Sequence, residues 1–416
     1  MVSSIVKPIV INSDRLLKSI EDLAKIGHLS DGGVCRIAFT PEDLAARNLI
    51  QSWMIETGMS VRIDTAGNMI GTYQGKYPQA STLSTGSHID TVPNGGRYDG
   101  AYGVLAGIEV VRVLHEADIR LNHSIEVIVF ADEESTMIGS KAMVGKIVND
   151  PNYYTHVDGR DIQTCLEYIG GNWHKIDQAR RTNQEMAAFV ELHVEQGPVL
   201  ESMDKKIGVV QGIVGQRRYV ITVTGHSSHA GSTPMNMRSD ALVAASLIIL
   251  AVNRIGNTPG QQVATVGKMQ VSPNAPNVIP GIVEMSLDIR DLSNEHLDHL
   301  MAELIQEIEA IATRTQTQIK LEPCLRNEPA PAASNIQQTI AKICEDFGFS
   351  YTYLPSRASH DAQEMANLTD MGMIFVPSIA GISHAQTEYT SPEQCVEGAN
   401  VLLHTFLRLD QHYSIL

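Results

Sequence analysis

Residues 83–134 read LSTGSHIDTVPNGGRYDGAYGVLAGIEVVRVLHEADIRLNHSIEVIVFADEE. Leu83–Ser87 reads as a buried strand, and the glycine-rich stretch Asp90–Gly103 is a loop. The apolar run Val104–Leu114 predicts a buried helix, and Ser124–Ala131 a second strand. Strand, helix and strand in succession predict an α/β domain with a mixed, mostly parallel sheet. Upstream, Asn12-Ser13-Asp14 offers caps for one helix. Thr40-Pro41-Glu42-Asp43 opens another, with proline at the first position and acids in the first turn. Ser60–Ile63 and Asn68–Tyr73 are two short apolar runs with the turn signal Ala66-Gly67 between them.

Past residue 212 the pattern changes. Tyr219–Thr224 alternates as a strand, Asp240–Arg254 is helical, and Val263–Val271 and Ile282–Ile289 are strands. Asn294–Arg314 is a long helix and Gln318–Glu322 a strand. The order β-α-β-β-α-β is that of a ferredoxin-like domain. Glycines at 212 and 215 and the proline-rich NEPAPAAS (327–334) mark its edges. The expected organisation is an α/β domain of residues 1–212 and 329–416, interrupted by an inserted domain of residues 213–328.

The 416 residues carry a formal net charge of −16, which excludes nucleic acid and anionic membrane as expected partners. An anionic substrate would need a local cation or an arginine. Five scattered cysteines with no CxxC fit a reducing cytoplasm. The start, MVSSIVKPIVINSD, has a short apolar run without a small-residue cleavage pattern, so no secretory signal is expected. No apolar stretch reaches the length of a membrane span.

Histidines and carboxylates recur at or after predicted strands: His88 and Asp90, Asp99, Glu133 and Glu134, His193, and His384. In open α/β sheets, ligands bind beyond the strand carboxyl ends. Singly, such a histidine is ordinarily structural, a Glu-Glu pair is a solvated loop, and Asp before Gly is a turn. Together they supply the mixed nitrogen and oxygen donors that Zn²⁺ or Mn²⁺ accepts.

The succession HIDT (88–91), YDGAYGVLAG (98–107), ADEE (131–134), ELHVEQGPVLE (191–201), GHSSHAGSTPM (225–235) and ISHAQTE (382–388) resembles the M20-type metallohydrolases. Within them it is most similar to the hydantoinase/carbamoylase amidases, which include N-carbamoyl-L-amino-acid hydrolases and allantoate amidohydrolases. The resemblance runs from about residue 15 to 410. It implies two divalent ions per subunit, zinc or manganese, with cobalt or nickel also compatible. Asp99 would bridge them, His88 and His193 would complete one, and Glu134 and His384 the other. Glu133 would be the general base, and Asp90 would orient His88. His229 would steady the oxyanion from the partner subunit of a homodimer, with the inserted domain as lid and dimerisation module. For the substrate, Gln196 would bind the carbamoyl amide, Asn277 in SPNAPNVIPG would meet the ureido group, and Arg290 would grip a carboxylate. His360-Asp361, in SRASHDA, resembles a supporting segment near the cleft. The stretch EESTMIGSK (133–141) departs from the EEGSRF usual in relatives and alters the pocket wall.

These residues imply a cytoplasmic amidohydrolase cleaving a carbamoyl or ureido C–N bond beside a carboxylate, as in an N-carbamoyl-L-amino acid. Allantoate hydrolysis is the near alternative. A dipeptidase or aminoacylase would share the fold, but relatives of that kind usually carry an acid where His193 stands. A non-catalytic metal-binding protein is the alternative from another class, against which Glu133 speaks.

Overall fold

The computed structural model describes residues 9–156 and 158–414, so the N-terminal stretch through Pro8 lies outside them. Contacts divide the chain into a discontinuous unit, up to Gly212 and from Pro331 onward, and a continuous unit, Ile213–Ala330.

The first unit is built on a mixed sheet in the order Ser60–Ile63, Met69–Tyr73, Ile125–Val129, Thr82–Ser87, Met186–Val194, Asp370–Val376, Ile207–Ile213. The four strands from Ile125–Val129 to Asp370–Val376 are mutually parallel. Antiparallel partners flank them on both sides. Parallel strands covered on both faces are buried along their length, as Ile125–Val129 is at every position; its one acid, Glu126, is paired with Arg181. Period-2 alternation then sorts the side chains of Met186–Val194. Ala188, Val190, Leu192 and Val194 join the main apolar core with the helices Ala101–Glu116 and Pro392–His412. Phe189, Glu191 and His193 turn to the other face, where the His193 ring meets His360.

Local chemistry starts the helices where the sequence predicts. The Asn12 side chain accepts from the Arg15 amide at 3.2 Å, and Thr40 accepts from the Asp43 amide at 3.3 Å with Pro41 at the first position. Ser391 and Gln394 form a reciprocal capping box. Among the described residues, no helix is long and apolar enough to cross a membrane.

The second unit holds an antiparallel sheet in the order Met269–Ser272, Ile282–Asp291, Gly215–Thr224, Gln318–Asn327. The helices Ala241–Gly256 and Asn294–Thr315 supply its apolar core with Ile221, Val223, Val283 and Leu287. The stretch read as one strand, Val263–Val271, is two, Val263–Thr265 and Met269–Ser272. Both pair with Ile282–Asp291, and Thr265 opposes Asp288 while Met269 opposes Met285. Three residues between those pairs on one side thus face two on the other, so the extra residue interrupts the ladder.

Candidate active site

The parallel strands all run the same way, so their carboxyl ends share one edge of the sheet. His88 follows Thr82–Ser87, Glu133 and Glu134 follow Ile125–Val129, and His193 is the penultimate residue of Met186–Val194. His384 lies in the loop after Asp370–Val376, and Asp99 just precedes the helix Ala101–Glu116. A carboxylate there is favoured by the positive end of the helix. Gly100 between them has φ +62°, and a Cβ on it would lie 2.4 Å from His88 Nε2. Only glycine permits both the backbone turn and the approach of the imidazole.

Asp99 is the centre of the cluster. Its Oδ1 lies 3.2 Å from His193 Nε2 and 3.8 Å from His88 Nε2. Its Oδ2 lies 3.1 Å from His384 Nε2, which is 3.5 Å from Glu134 Oε2. Two atoms each about 2.1 Å from one ion at a tetrahedral angle stand about 3.4 Å apart. His88, Asp99 and His193 form one group of that size, and Asp99, Glu134 and His384 another. The tautomers suit ligation. His88 Nδ1 faces the Asp90 carbonyl at 2.9 Å and His193 Nδ1 the Val194 carbonyl at 2.8 Å. A carbonyl only accepts, so both protons sit on Nδ1 and both Nε2 lone pairs point toward Asp99.

The charge balance also calls for cations. Glu133, with its side chain 9% exposed, has Oε2 3.6 Å from His88 Nε2. Burial, with Asp361, Glu134 and Asp90 close by, pushes its carboxyl well above the usual range despite His88. Burial and Asp99 push Glu134 up to about 7. Burial works against the Asp99 carboxylate, yet the His193 and His384 rings against its two oxygens hold it well below the usual range. His384 is raised to about 9, first by Asp99. Carboxylates crowd this pocket with three imidazoles as the facing bases, a donor set that fits divalent ions.

The supporting residues hold these groups by the main chain. The Asp90 carbonyl takes the His88 proton, while its Oδ2 accepts from the Glu134 amide at 3.2 Å. Orientation of His88 therefore falls to the Asp90 backbone, and the carboxylate serves the Glu134 loop. Gln196, at φ +56°, donates from Nε2 to Asp99 Oδ2 at 2.9 Å. Sequence reasoning missed Glu388. Its Oε1 accepts from the Tyr98 and Asp99 amides at 2.9 and 3.1 Å, and its Oε2 accepts from Ser383 at 2.9 Å. It ties the Asp99 turn to the His384 loop, and its signal was an acid inside ISHAQTE. Glu191 is fully buried and accepts from Ser87 Oγ at 2.7 Å and the Ala362 amide at 3.0 Å. An acid inside an apolar strand was its signal. His360 meets Ser356 Oγ at 2.9 Å, and burial and His193 keep its pKa well below the usual value.

In the second unit, His229 pairs with Val278 in a short ribbon, and Asn277 accepts from the Ala230 amide at 3.0 Å, so the two are neighbours. The amides of Gly231 and Ser232 donate to His229 Nδ1 at 3.0 and 3.1 Å. The ring proton is thereby fixed on Nε2, which is a donor. Arg290 stands apart from them in the strand Ile282–Asp291, where its guanidinium forks onto Asp288 at 3.1 Å. Asp288 also accepts from Gln216 at 2.7 Å and Arg218 at 2.8 Å.

Residues 85–408 match the family model for peptidase family M20/M25/M40. The chain is 37% identical over 407 residues to an N-carbamoyl-L-amino acid amidohydrolase of Geobacillus stearothermophilus, covering 97% of this chain and 100% of that one. It is 36% identical over 397 residues to an allantoate amidohydrolase of Bacillus subtilis, covering 94% and 96%. A hydantoinase/carbamoylase family amidase from Burkholderia multivorans superposes with a TM-score of 0.90 at 39% identity, covering 96% of this chain and 98% of that one. An α/β sheet with nitrogen and oxygen donors converging on one carboxylate, matched along nearly all its length by these proteins, defines a hydrolase. The chain belongs to peptidase family M20/M25/M40 and, within it, to the hydantoinase/carbamoylase amidases.

Proposed function

We propose that this hydrolase cleaves the carbamoyl or ureido C–N bond of a carboxylate-bearing substrate, such as an N-carbamoyl-L-amino acid, with two divalent cations. The observation that supports it most is the division of Asp99, with Oδ1 toward His88 and His193 and Oδ2 toward His384 beside Glu134. His88, Asp99 and His193 would hold one ion, and Asp99, Glu134 and His384 the other, zinc or manganese in each case. Ions bound there would polarise the substrate carbonyl and make water nucleophilic near neutral pH.

The chain's own groups do the rest. Glu133 takes the proton of the attacking water at Oε2 and returns it to the departing nitrogen, a role suited to a carboxyl raised by burial. His229 donates from Nε2 to the oxyanion that forms at the carbonyl, acting across a homodimer. Asn277 and Gln196 offer amide donors and acceptors to the ureido group. Arg290 leaves Asp288 in part to take the substrate carboxylate. Allantoate has the same ureido and carboxylate groups, and the similarity to the Bacillus subtilis protein keeps it as a second reading.

The test is substrate turnover by metal-reconstituted protein, read as ammonia from the carbamoyl and ureido compounds and as free amino acid from the dipeptides. The panel contains N-carbamoyl-L-amino acids, allantoate, ureidopropionate and dipeptides, each with a chelated control. Turnover of a carbamoyl amino acid above the others, abolished by chelation, is expected. Turnover confined to dipeptides, or unchanged after chelation, would overturn the reading.

A further inference from the structure

Glu133 and Glu134 begin the loop Asp132–Met137, which leaves the sheet just past Ile125–Val129 and enters the short helix Ile138–Met143. The loop holds an unfavourable backbone, with φ +56° at Asp132 and +55° at Met137. Its internal bonds give it shape. The Thr136 and Met137 amides both donate to the Asp132 carbonyl, and Lys141 Nζ donates to the Thr136 carbonyl. Those bonds do not by themselves attach it to the sheet.

Asp90 holds the loop at the Glu134 amide, and its two ends are attached through Asn68, which is fully buried at the head of the strand Met69–Tyr73. The last rung of that strand against its neighbour is Met69 with Val129. Beyond it the Asn68 side chain continues the ladder. Its Oδ1 accepts from the Ala131 amide at 3.1 Å, and its Nδ2 donates to the Gly139 carbonyl at 3.0 Å. A side-chain amide has one acceptor and one donor group, as a peptide does, so it can hold both ends of a loop at once. The Gly139 amide meanwhile donates to the Ala131 carbonyl at 3.1 Å, closing the neck. Asp64 fixes the orientation of the Asn68 amide. Its Oδ2 accepts from Asn68 Nδ2 at 2.8 Å, and its Oδ1 accepts from the Ala66 and Asn68 amides, both at 2.9 Å. The neck leaves no room at Gly139, where a Cβ would lie 2.2 Å from Asn68 Oδ1 and 2.5 Å from the Ala131 nitrogen.

We infer that Asn68 is a positioning residue for the hydrolytic reaction, clamping both ends of the loop so that Glu133 and Glu134 stay aimed at the cluster around Asp99. The inference rests on the roles proposed above for those two glutamates. Asn68 acts on one half of the site. His88 and His193 are held by the carbonyls of Asp90 and Val194 instead.

The experiment uses full-length Asn68→Ala and, from the other side of the neck, Gly139→Ala. Each is measured for kcat, KM and metal binding by titration of zinc into demetallated protein. A residue supporting a ligand from behind typically changes metal affinity or activity about 10- to 100-fold. The expected result in a folded variant is a kcat lowered by about that factor with KM within about threefold. Only the zinc class that depends on Glu134 and His384 should weaken. Parental kcat and titration in either folded variant would overturn the inference. So would equal weakening of both zinc classes, which marks general loosening. If the parent protein itself binds no second ion or hydrolyses no ureido substrate, the proposed function fails instead, and the two failures are distinct.

Discussion

Replacing Glu133 by Gln separates proton transfer from metal holding in a single atom change. Glutamine keeps the volume of a side chain that is only 9% exposed, so the pocket wall is preserved. It removes the atom that accepts a proton. General-base catalysis contributes about 10²- to 10⁴-fold, or about 3–5 kcal/mol of barrier. The kcat of Glu133→Gln should therefore fall by that factor. Metal content should not change, because the two groups of ligand size around Asp99 do not include Glu133. Stability should not fall either. Burial and the charges of Asp361, Glu134 and Asp90 disfavour the Glu133 carboxylate, and an uncharged amide relieves that repulsion. The assay is steady-state ammonia release with saturating metal, alongside metal analysis by mass spectrometry and a melting curve. A variant with kcat within about threefold of the parent would remove Glu133 from the mechanism. Loss of activity together with loss of metal would make it a ligand rather than a base.

Two other outcomes follow from the same geometry. Asp99→Asn should lower affinity in both ion classes at once, since each oxygen of Asp99 faces a different group. Equilibrium dialysis that shows one class intact would contradict the shared carboxylate. Metal-free protein should lose stability as pH rises from about 5 to 9. Burial raises Asp43 to about 6 and Asp132 to about 8, and Glu134 is raised to about 7. The folded state therefore keeps protons that the unfolded chain releases near pH 4. His384, raised to about 9 by Asp99, acts in the same direction, its contribution being lost as pH climbs through that value. Melting temperatures that stay flat or rise over this range in chelator would contradict the burial of these acids.

Much of the architecture was legible because the sheet's chemistry is local. Runs such as Ser124–Ala131 are apolar at all but Ser124 and Glu126, and a mostly apolar run belongs to parallel strands covered on both faces. Thr40-Pro41 and Asn12 announced their helices because a cap is a contact within three residues. The ligand-type residues were legible as a set because each stands near the end of a strand or in the loop that follows one. Val263–Val271 was misread as one strand because the extra residue there is defined only by the partner strand.

By itself the sequence determined where many of the strands and helices fall, and it singled out His88, Asp99, Glu133, Glu134, His193 and His384 as a set of ligand-type residues at or after predicted strands. Periodicity and capping are short-range, and a family resemblance in ordered motifs carries the rest. Tertiary structure alone decided which oxygen of Asp99 faces which imidazole, that backbone carbonyls set the histidine tautomers, and that Glu388 and Asn68 anchor the loops. Those contacts join residues far apart in the chain, 290 positions between Tyr98 and Glu388 and 71 between Asn68 and Gly139, and no local pattern records them. A hydrogen bond is specified by angstroms and angles, which exist only once the sheet has brought the segments together.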